Sequence, residues 1–268
     1  EGGGEMGIGV GAETRRMTQE EFGALAYEVM ECVFGIHNRL GRFFDEKIYR
    51  DEIARRLPDV RTEVRVEVSF EGFAKTYFID LLVDDGAVFE LKKVAALNDK
   101  HRAQLLNYLL LAELPRGKLV NLRPPLVEHE FVNTTLARDD RTGFAVREEA
   151  WRDRDGSGTA VKEIVVAFLR DWGTCLDLHL YEEALTHFLG GDNAVVAEAN
   201  VVTDGRRLGT QRVRLAGPAT AFKITALRDR DRPHFQTHTR RFLQHTDLQS
   251  IHWINVTRTA VTFTTLTK

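Results

Sequence analysis

The chain of 268 residues is long enough for one large domain or two small ones, and its 43% hydrophobic and 29% charged residues exclude a disordered or fibrous protein. With a formal net charge of -3 and a pI near 6.4, a nucleic-acid partner would need a local basic patch. The two isolated cysteines, Cys32 and Cys175, exclude a cysteine-rich zinc site and indicate reduced thiols, so we expect a cytoplasmic protein. No apolar run is long enough to span a membrane, and we expect no membrane partner.

The first half predicts two helices, three strands, a helix and two strands. We expect the glycine-rich residues 1–15 to form a flexible tail. In chain order, the predicted elements are helices at 18–40 and 45–57, strands at 61–70, 74–83 and 87–94, a helix at 100–111, a strand at 117–122 and a strand ending at 136. This order is typical of an α/β fold built on a small mixed sheet.

Two of the predicted strands each carry one acid. Asp80 interrupts the apolar strand 74–83 and Glu90 the strand 87–94, with Lys92 two residues further on. Because strand side chains alternate, Glu90 and Lys92 project from the same face. Two carboxylates beside an ammonium group suit a divalent cation next to a group that handles a water proton. A plain buried ion pair between Asp80 and Lys92 is the structural alternative.

The second half repeats the first at a near-constant offset, which indicates a tandem duplication. For example, the step from Gly173 to Tyr181 equals the step from Gly41 to Tyr49. Similar matches follow through the strands, the last helix and the chain end.

The acids are lost in this second copy. The alignment sets Arg214 against Asp80 and Lys223 against Glu90. Two cations cannot hold a divalent metal, so we expect the second copy to be catalytically silent.

The stretch between the copies is rich in charge and glycine, which predicts a solvated linker. We therefore expect a tail at 1–15, a domain with the chemistry at 16–137, a linker at 138–159 and the silent domain at 160–268.

Several motifs of the first half occur in an order that is more specific than any of them alone. They are His37-Asn38-Arg39-Leu40-Gly41, Glu46-x-x-Tyr49, Asp80-Leu81-Leu82-Val83, Glu90-Leu91-Lys92 and Gln104-x-x-x-Tyr108. Over residues 37–122 the set resembles the GxxExxY family, a branch of the PD-(D/E)xK nuclease superfamily. One departure is Phe43, which replaces the glycine expected three residues before Glu46.

The resemblance implies a restriction-endonuclease-like fold, a mixed sheet flanked by helices. Together with the internal repeat, it predicts that this fold is duplicated in tandem as an internal pseudo-dimer. It implies that Asp80 and Glu90 bind Mg²⁺ (or Mn²⁺), with Glu46 as a further or water-mediated acid.

The resemblance also implies that Lys92 positions or activates the attacking water. Gln104 and Tyr108 lie one turn apart on one helix face and would contact the scissile phosphate or hold Lys92 in place. An ordinary surface glutamine and a core tyrosine are the structural alternatives.

We therefore predict a metal-dependent nuclease that hydrolyses the phosphodiester bonds of nucleic acid, with DNA favoured over RNA. The alternative is a non-hydrolytic nucleic-acid-binding or regulatory protein that retains the fold and the metal site.

Overall fold

The computed structural model describes residues 7–153 and 156–268. The chain divides into two compact units between Arg138 and Asp139. Among the described helices, none combines the length and apolar character that a membrane crossing requires.

The first unit is a six-stranded mixed sheet with helices. Its elements are β1 (Gly7–Val10), α1 (Gln19–Leu40), α2 (Glu46–Arg56), β2 (Val60–Phe70), β3 (Phe73–Val83), β4 (Ala87–Lys92), α3 (Asp99–Leu111), β5 (Arg116–Asn121) and β6 (Glu128–Asn133). The strand order is β1-β2-β3-β4-β5-β6, in which β4 and β5 are parallel and the other neighbours antiparallel.

Helix α1 covers the centre of this sheet. Thr18 and Glu21 form a capping box at its first turn, which satisfies backbone donors that have no partner inside the helix. Its apolar face, including Phe22, Val29 and Val33, packs in one core with Phe89 of β4. The central strand β4 is therefore buried, and any acid within it is withdrawn from water.

The predicted tail is wrong for its described part. Residues 1–6 lie outside the described residues, but Gly7–Val10 form β1, antiparallel to β2 with Ile8 opposite Val68. Glycine is a poor strand former, so the sequence favoured a tail. The edge of the long strand β2 offers unpaired backbone groups, and pairing with them requires no particular side chain.

The second unit is also a six-stranded mixed sheet. Its elements are α4 (Arg138–Thr142), β7 (Ala145–Glu149), α5 (Ser157–Trp172), α6 (Leu178–Phe188), α7 (Asp192–Val195), β8 (Val196–Thr203), β9 (Arg206–Gly217), β10 (Thr220–Thr225), a 3-10 turn (Asp229–Asp231), α8 (Arg232–Gln244), β11 (Ser250–Val256) and β12 (Ala260–Thr267). The strand order is β7-β12-β11-β10-β9-β8.

The second sheet repeats the topology of the first, as a tandem duplication predicts. Strands β8 to β12 lie in the same order as β2 to β6, and β10 and β11 are parallel like β4 and β5. The added strand differs, because β1 joins the β2 edge whereas β7 joins β12, at the opposite edge. The pseudo-dimer arrangement of the copies stays a prediction.

One hydrogen bond occurs in both copies at equivalent places. The Tyr49 hydroxyl donates to the carbonyl of Gly41 at 2.6 Å, and the Tyr181 hydroxyl donates to that of Gly173 at 2.7 Å. In each copy the bond ties the second helix to the glycine that ends the first. The matched spacing in the sequence therefore reflects a shared local structure.

The predicted linker at 138–159 is also wrong over most of its length. It contains α4 and strand β7, which pairs in parallel with β12. Arg141 is 1% exposed and donates to the carbonyls of Trp172 and Thr174. The charged residues of this stretch predicted a solvated linker, but the chain from Asp139 onward belongs to the second unit.

The two matched glycines provide a stability test. Gly41 (φ 75°, ψ -156°) and Gly173 (φ 86°, ψ 167°) both adopt a backbone conformation that other residues avoid. A Cβ on Gly41 would meet nothing within 4 Å, whereas one on Gly173 would lie 2.8 Å from the Cβ of Arg141. We expect Gly173→Ala to lower the free energy of unfolding by about 1–3 kcal/mol more than Gly41→Ala, measured by urea unfolding. Equal losses of unfolding free energy in the two variants would show that Arg141 moves away from the added Cβ at no cost.

Candidate active site

Asp80 and Glu90 lie side by side on adjacent strands. The antiparallel register pairs Leu81 with Phe89, and one step further along both strands Asp80 is level with Glu90. The backbone N–H of Leu91 donates to Asp80 Oδ2 at 2.9 Å, which fixes that carboxylate against β4. The structure therefore brings together the two acids that the sequence singled out.

Glu90 has one carboxylate oxygen paired and one left without a partner. Lys92 Nζ donates to Glu90 Oε1 at 2.6 Å, and the two side chains are 14% and 2% exposed. Glu90 Oε2 is buried and has no hydrogen-bond partner among the described residues. A buried oxygen of this kind is costly unless a further group, such as a cation, approaches it.

Burial makes these acids hard to ionise. It raises the pKa of Glu90 to about 8, helped by the negative charge of Asp80 and opposed by Lys92. Burial also raises the pKa of Asp80, whereas the Leu91 N–H and the charge of Lys92 act to lower it. Two adjacent carboxylates in such a setting strongly favour binding of a positive charge.

Glu46 is the third acid of the group. It is the first residue of α2, and burial together with the charge of Asp80 raises its pKa. The structure thus brings Glu46 within electrostatic range of Asp80 and Lys92, and its role as a further or water-mediated acid stays a prediction.

Arg50 is a neighbour of this group that the sequence reasoning missed. It lies one turn after Glu46 on α2, is 9% exposed, and bonds to Glu63 at 3.0 Å. Its charge opposes the larger effect of burial, which raises the pKa of both Asp80 and Glu46. In the sequence, the i,i+4 spacing of Glu46 and Arg50 on one helix is the pattern that could have indicated that Arg50 lies beside the acids.

Gln104 and Tyr108 share a face of α3, as predicted. Gln104 Nε2 donates to the Tyr108 hydroxyl at 2.9 Å. Burial and the charge of Glu90 raise the pKa of Tyr108 to about 12, so its hydroxyl keeps its proton at neutral pH. Among the described side chains, Lys92 bonds to Glu90 and to neither of these residues. The prediction that they hold Lys92 in place is therefore wrong for a direct contact.

The donor set fits Mg²⁺ in part. The described residues contain no cluster of three or more His, Cys, Asp or Glu side chains arranged to hold a metal. However, Mg²⁺ is commonly bound by one or two carboxylates, with waters and substrate phosphates as its other ligands. Asp80 and Glu90, with the buried Oε2 of Glu90 unpartnered, meet that smaller requirement.

In the second unit, the equivalent place has the opposite charge pattern. Lys223 lies level with Trp253 of β11, as Glu90 lies level with Leu119 of β5. Lys223 pairs with Glu182 at 2.8 Å, and Arg214 approaches the same acid at 3.6 Å. The two cations therefore reach an internal acid, and a cavity of about 840 Å³ opens beside them.

The predicted match of Arg214 with Asp80 stays a prediction. Strands β9 and β10 pair at Thr220 with Gly217 and at Ala221 with Leu215. The register shifts next to this pair, and an irregularity of this kind adds a residue that sequence spacing does not reveal.

A comparison with known proteins supports the nuclease-like fold predicted for the first unit. Residues 23–133 match a family model described as the PD-(D/E)XK nuclease superfamily, and this range contains all six predicted site residues. The two mixed sheets flanked by helices agree with that fold.

One solved structure, titled "Crystal structure of SSO0001", is similar to the chain at 19% identity with a TM-score of 0.29. The match covers 45% of this chain and 61% of the solved one. A search of curated proteins found no match.

Proposed function

We propose that the first unit is a Mg²⁺- or Mn²⁺-dependent nuclease that hydrolyses phosphodiester bonds, with DNA as the favoured substrate, and that it belongs to the GxxExxY branch. The observation that carries the proposal is the buried, unpartnered Oε2 of Glu90 beside Asp80 and Lys92. The superfamily match over residues 23–133 supports it.

In this proposal Asp80 and Glu90 would hold the metal ion, and Glu46 would contribute directly or through a water. When bound there, the ion would supply positive charge near the phosphate oxygens and would make a water easier to ionise. Each of these acids must be ionised to bind the metal ion.

The remaining residues position the reacting groups. The ammonium of Lys92, fixed by Glu90, orients the attacking water and offsets charge that develops on the phosphate. Tyr108 keeps its proton and donates it in a hydrogen bond to a phosphate oxygen, while Gln104 holds the Tyr108 hydroxyl.

The test is cleavage of end-labelled single- and double-stranded DNA and RNA by the full chain, in Mg²⁺, in Mn²⁺ and in EDTA. We expect cleavage to require metal and to fall at least about 100-fold in Glu90→Ala, because the variant loses a metal ligand. The matched control is Lys223→Ala, at the equivalent strand position of the second unit, which we expect to remain within about twofold of the wild type.

A non-hydrolytic nucleic-acid-binding protein is the second candidate. The lack of a three-acid metal cluster among the described residues favours it. Equal residual activity in the wild type and both variants, together with binding to nucleic acid, would replace the nuclease proposal with this one.

A further inference from the structure

A cavity of the first unit is lined by three cations and one aromatic ring. We call it the basic cavity. It measures about 520 Å³ and is lined by Arg42, Phe43, Lys93 and Arg123. In a chain of net charge -3, this is a local basic patch of the kind that a nucleic-acid partner requires.

Phe43 presents its ring to solvent in this cavity. The residue is 82% exposed, and the Arg42 guanidinium lies 5.3 Å from its ring centroid. Its backbone is fixed, because Lys93 Nζ donates to the Phe43 carbonyl at 2.8 Å and lies 3.5 Å from Asp45. An exposed phenyl ring on a fixed backbone offers a free face for stacking.

The charges of the cavity are available to a ligand. Within the described part of the chain, neither Arg42 nor Arg123 forms an ion pair, and Lys93 shares its charge with Asp45, whose side chain is 94% exposed. Arg123 is held near the end of β4, since its N–H donates to Asn121 Oδ1, which also accepts from Val94. The fold therefore fixes Lys93 and the backbone of Arg123, and among the described residues it leaves Arg42 and Arg123 without an acidic partner.

The cavity adjoins the candidate active site along two segments of chain. Lys93 follows Lys92 directly at the end of β4, and the loop with Phe43 leads into Glu46, the first residue of α2. The basic cavity is therefore next to the candidate active site along the sequence on both segments.

We propose that the basic cavity binds an unpaired nucleotide of the substrate strand. The base stacks on Phe43, and the adjacent phosphates contact Arg42, Lys93 and Arg123. Stacking requires a base whose face is free, so the site selects single-stranded or frayed nucleic acid over closed duplex. This inference rests on the proposed function, since it places the nucleotide next to the scissile phosphate.

The test measures binding without cleavage. Fluorescence anisotropy follows labelled single-stranded DNA, single-stranded RNA of the same sequence and a blunt DNA duplex, all in EDTA. We expect Phe43→Ala to weaken single-strand binding about 5- to 100-fold and duplex binding less than about twofold. Phe43→Trp should retain single-strand binding. Tyr27→Ala, which removes another exposed aromatic ring (75% exposed), is the matched control and should change neither.

The outcomes separate this inference from the nuclease proposal. If the wild type cuts no substrate but single-strand binding depends on Phe43, the basic cavity is supported and the nuclease proposal fails. If cleavage is metal-dependent but Phe43→Ala binds single strands and duplex as the wild type does, the inference is overturned and the nuclease stands. A loss confined to DNA or to RNA supports the site and identifies the strand that it takes.

Discussion

Replacing Lys92 with methionine is expected to lower the cleavage rate about 10²- to 10⁴-fold while leaving Mn²⁺ binding intact or stronger. The side chain is 14% exposed, and its ammonium lies 2.6 Å from Glu90 Oε1. In the proposed mechanism it orients the attacking water and offsets charge on the phosphate. Methionine keeps most of the apolar stem of the side chain but removes its ammonium charge. In the wild type that charge competes with a metal ion for the Glu90 carboxylate, so its removal does not weaken Mn²⁺ binding.

Single-turnover cleavage at saturating Mn²⁺ gives the rate, and electron paramagnetic resonance of free Mn²⁺ gives the affinity. Lys223→Met removes a lysine from the second unit and should leave both quantities unchanged. A joint loss of Mn²⁺ binding and cleavage in Lys92→Met would contradict the assigned role and would make Lys92 a structural partner of Glu90.

Replacing Glu90 with glutamine is expected to abolish cleavage and yet to stabilise the metal-free protein at alkaline pH. Folding raises the pKa of this carboxyl from its ordinary 4.5 to about 8, mainly through burial. A raised pKa of an acid means that the folded state binds the proton more tightly. Its stabilising contribution is therefore complete below about pH 4.5 and is lost as pH rises through about 8.

Glutamine mimics the protonated acid at every pH. We expect the variant to match the wild type near pH 5 and to exceed it near pH 9 by on the order of a few kcal/mol, measured by urea unfolding in EDTA. Saturating Mg²⁺ should stabilise the wild type and not the variant, since only the wild type keeps both carboxylate ligands.

Glu182→Gln is the matched control, because it removes an acid that already pairs with Lys223 and Arg214. We expect no gain in its stability at high pH. A uniform loss of stability in Glu90→Gln at every pH would show that the Lys92 ion pair, and not a metal, is the reason for the buried acid.

The strand and helix order of both units could be predicted, because period-2 and period-3.6 apolar patterns are local properties of the chain. The strands with Asp80 and Glu90, and the helix with Gln104 and Tyr108, were recognisable in this way. The edge strands β1 and β7 were not, since their pairing comes from backbone groups of distant strands and their glycine or charge content suggests exposed chain.

The sequence by itself therefore determined the fold class and the places of Asp80, Glu90 and Lys92 on two neighbouring strands, and its internal repeat predicted the matching strand order of the two sheets. Only the tertiary structure decided which charges meet. It brings Arg50 towards Asp80, pairs Lys223 with Glu182, and collects Arg42, Phe43, Lys93 and Arg123 around one cavity. The physical reason is that alternation along a strand determines which face a side chain takes, whereas its charged partner comes from another element placed there by packing.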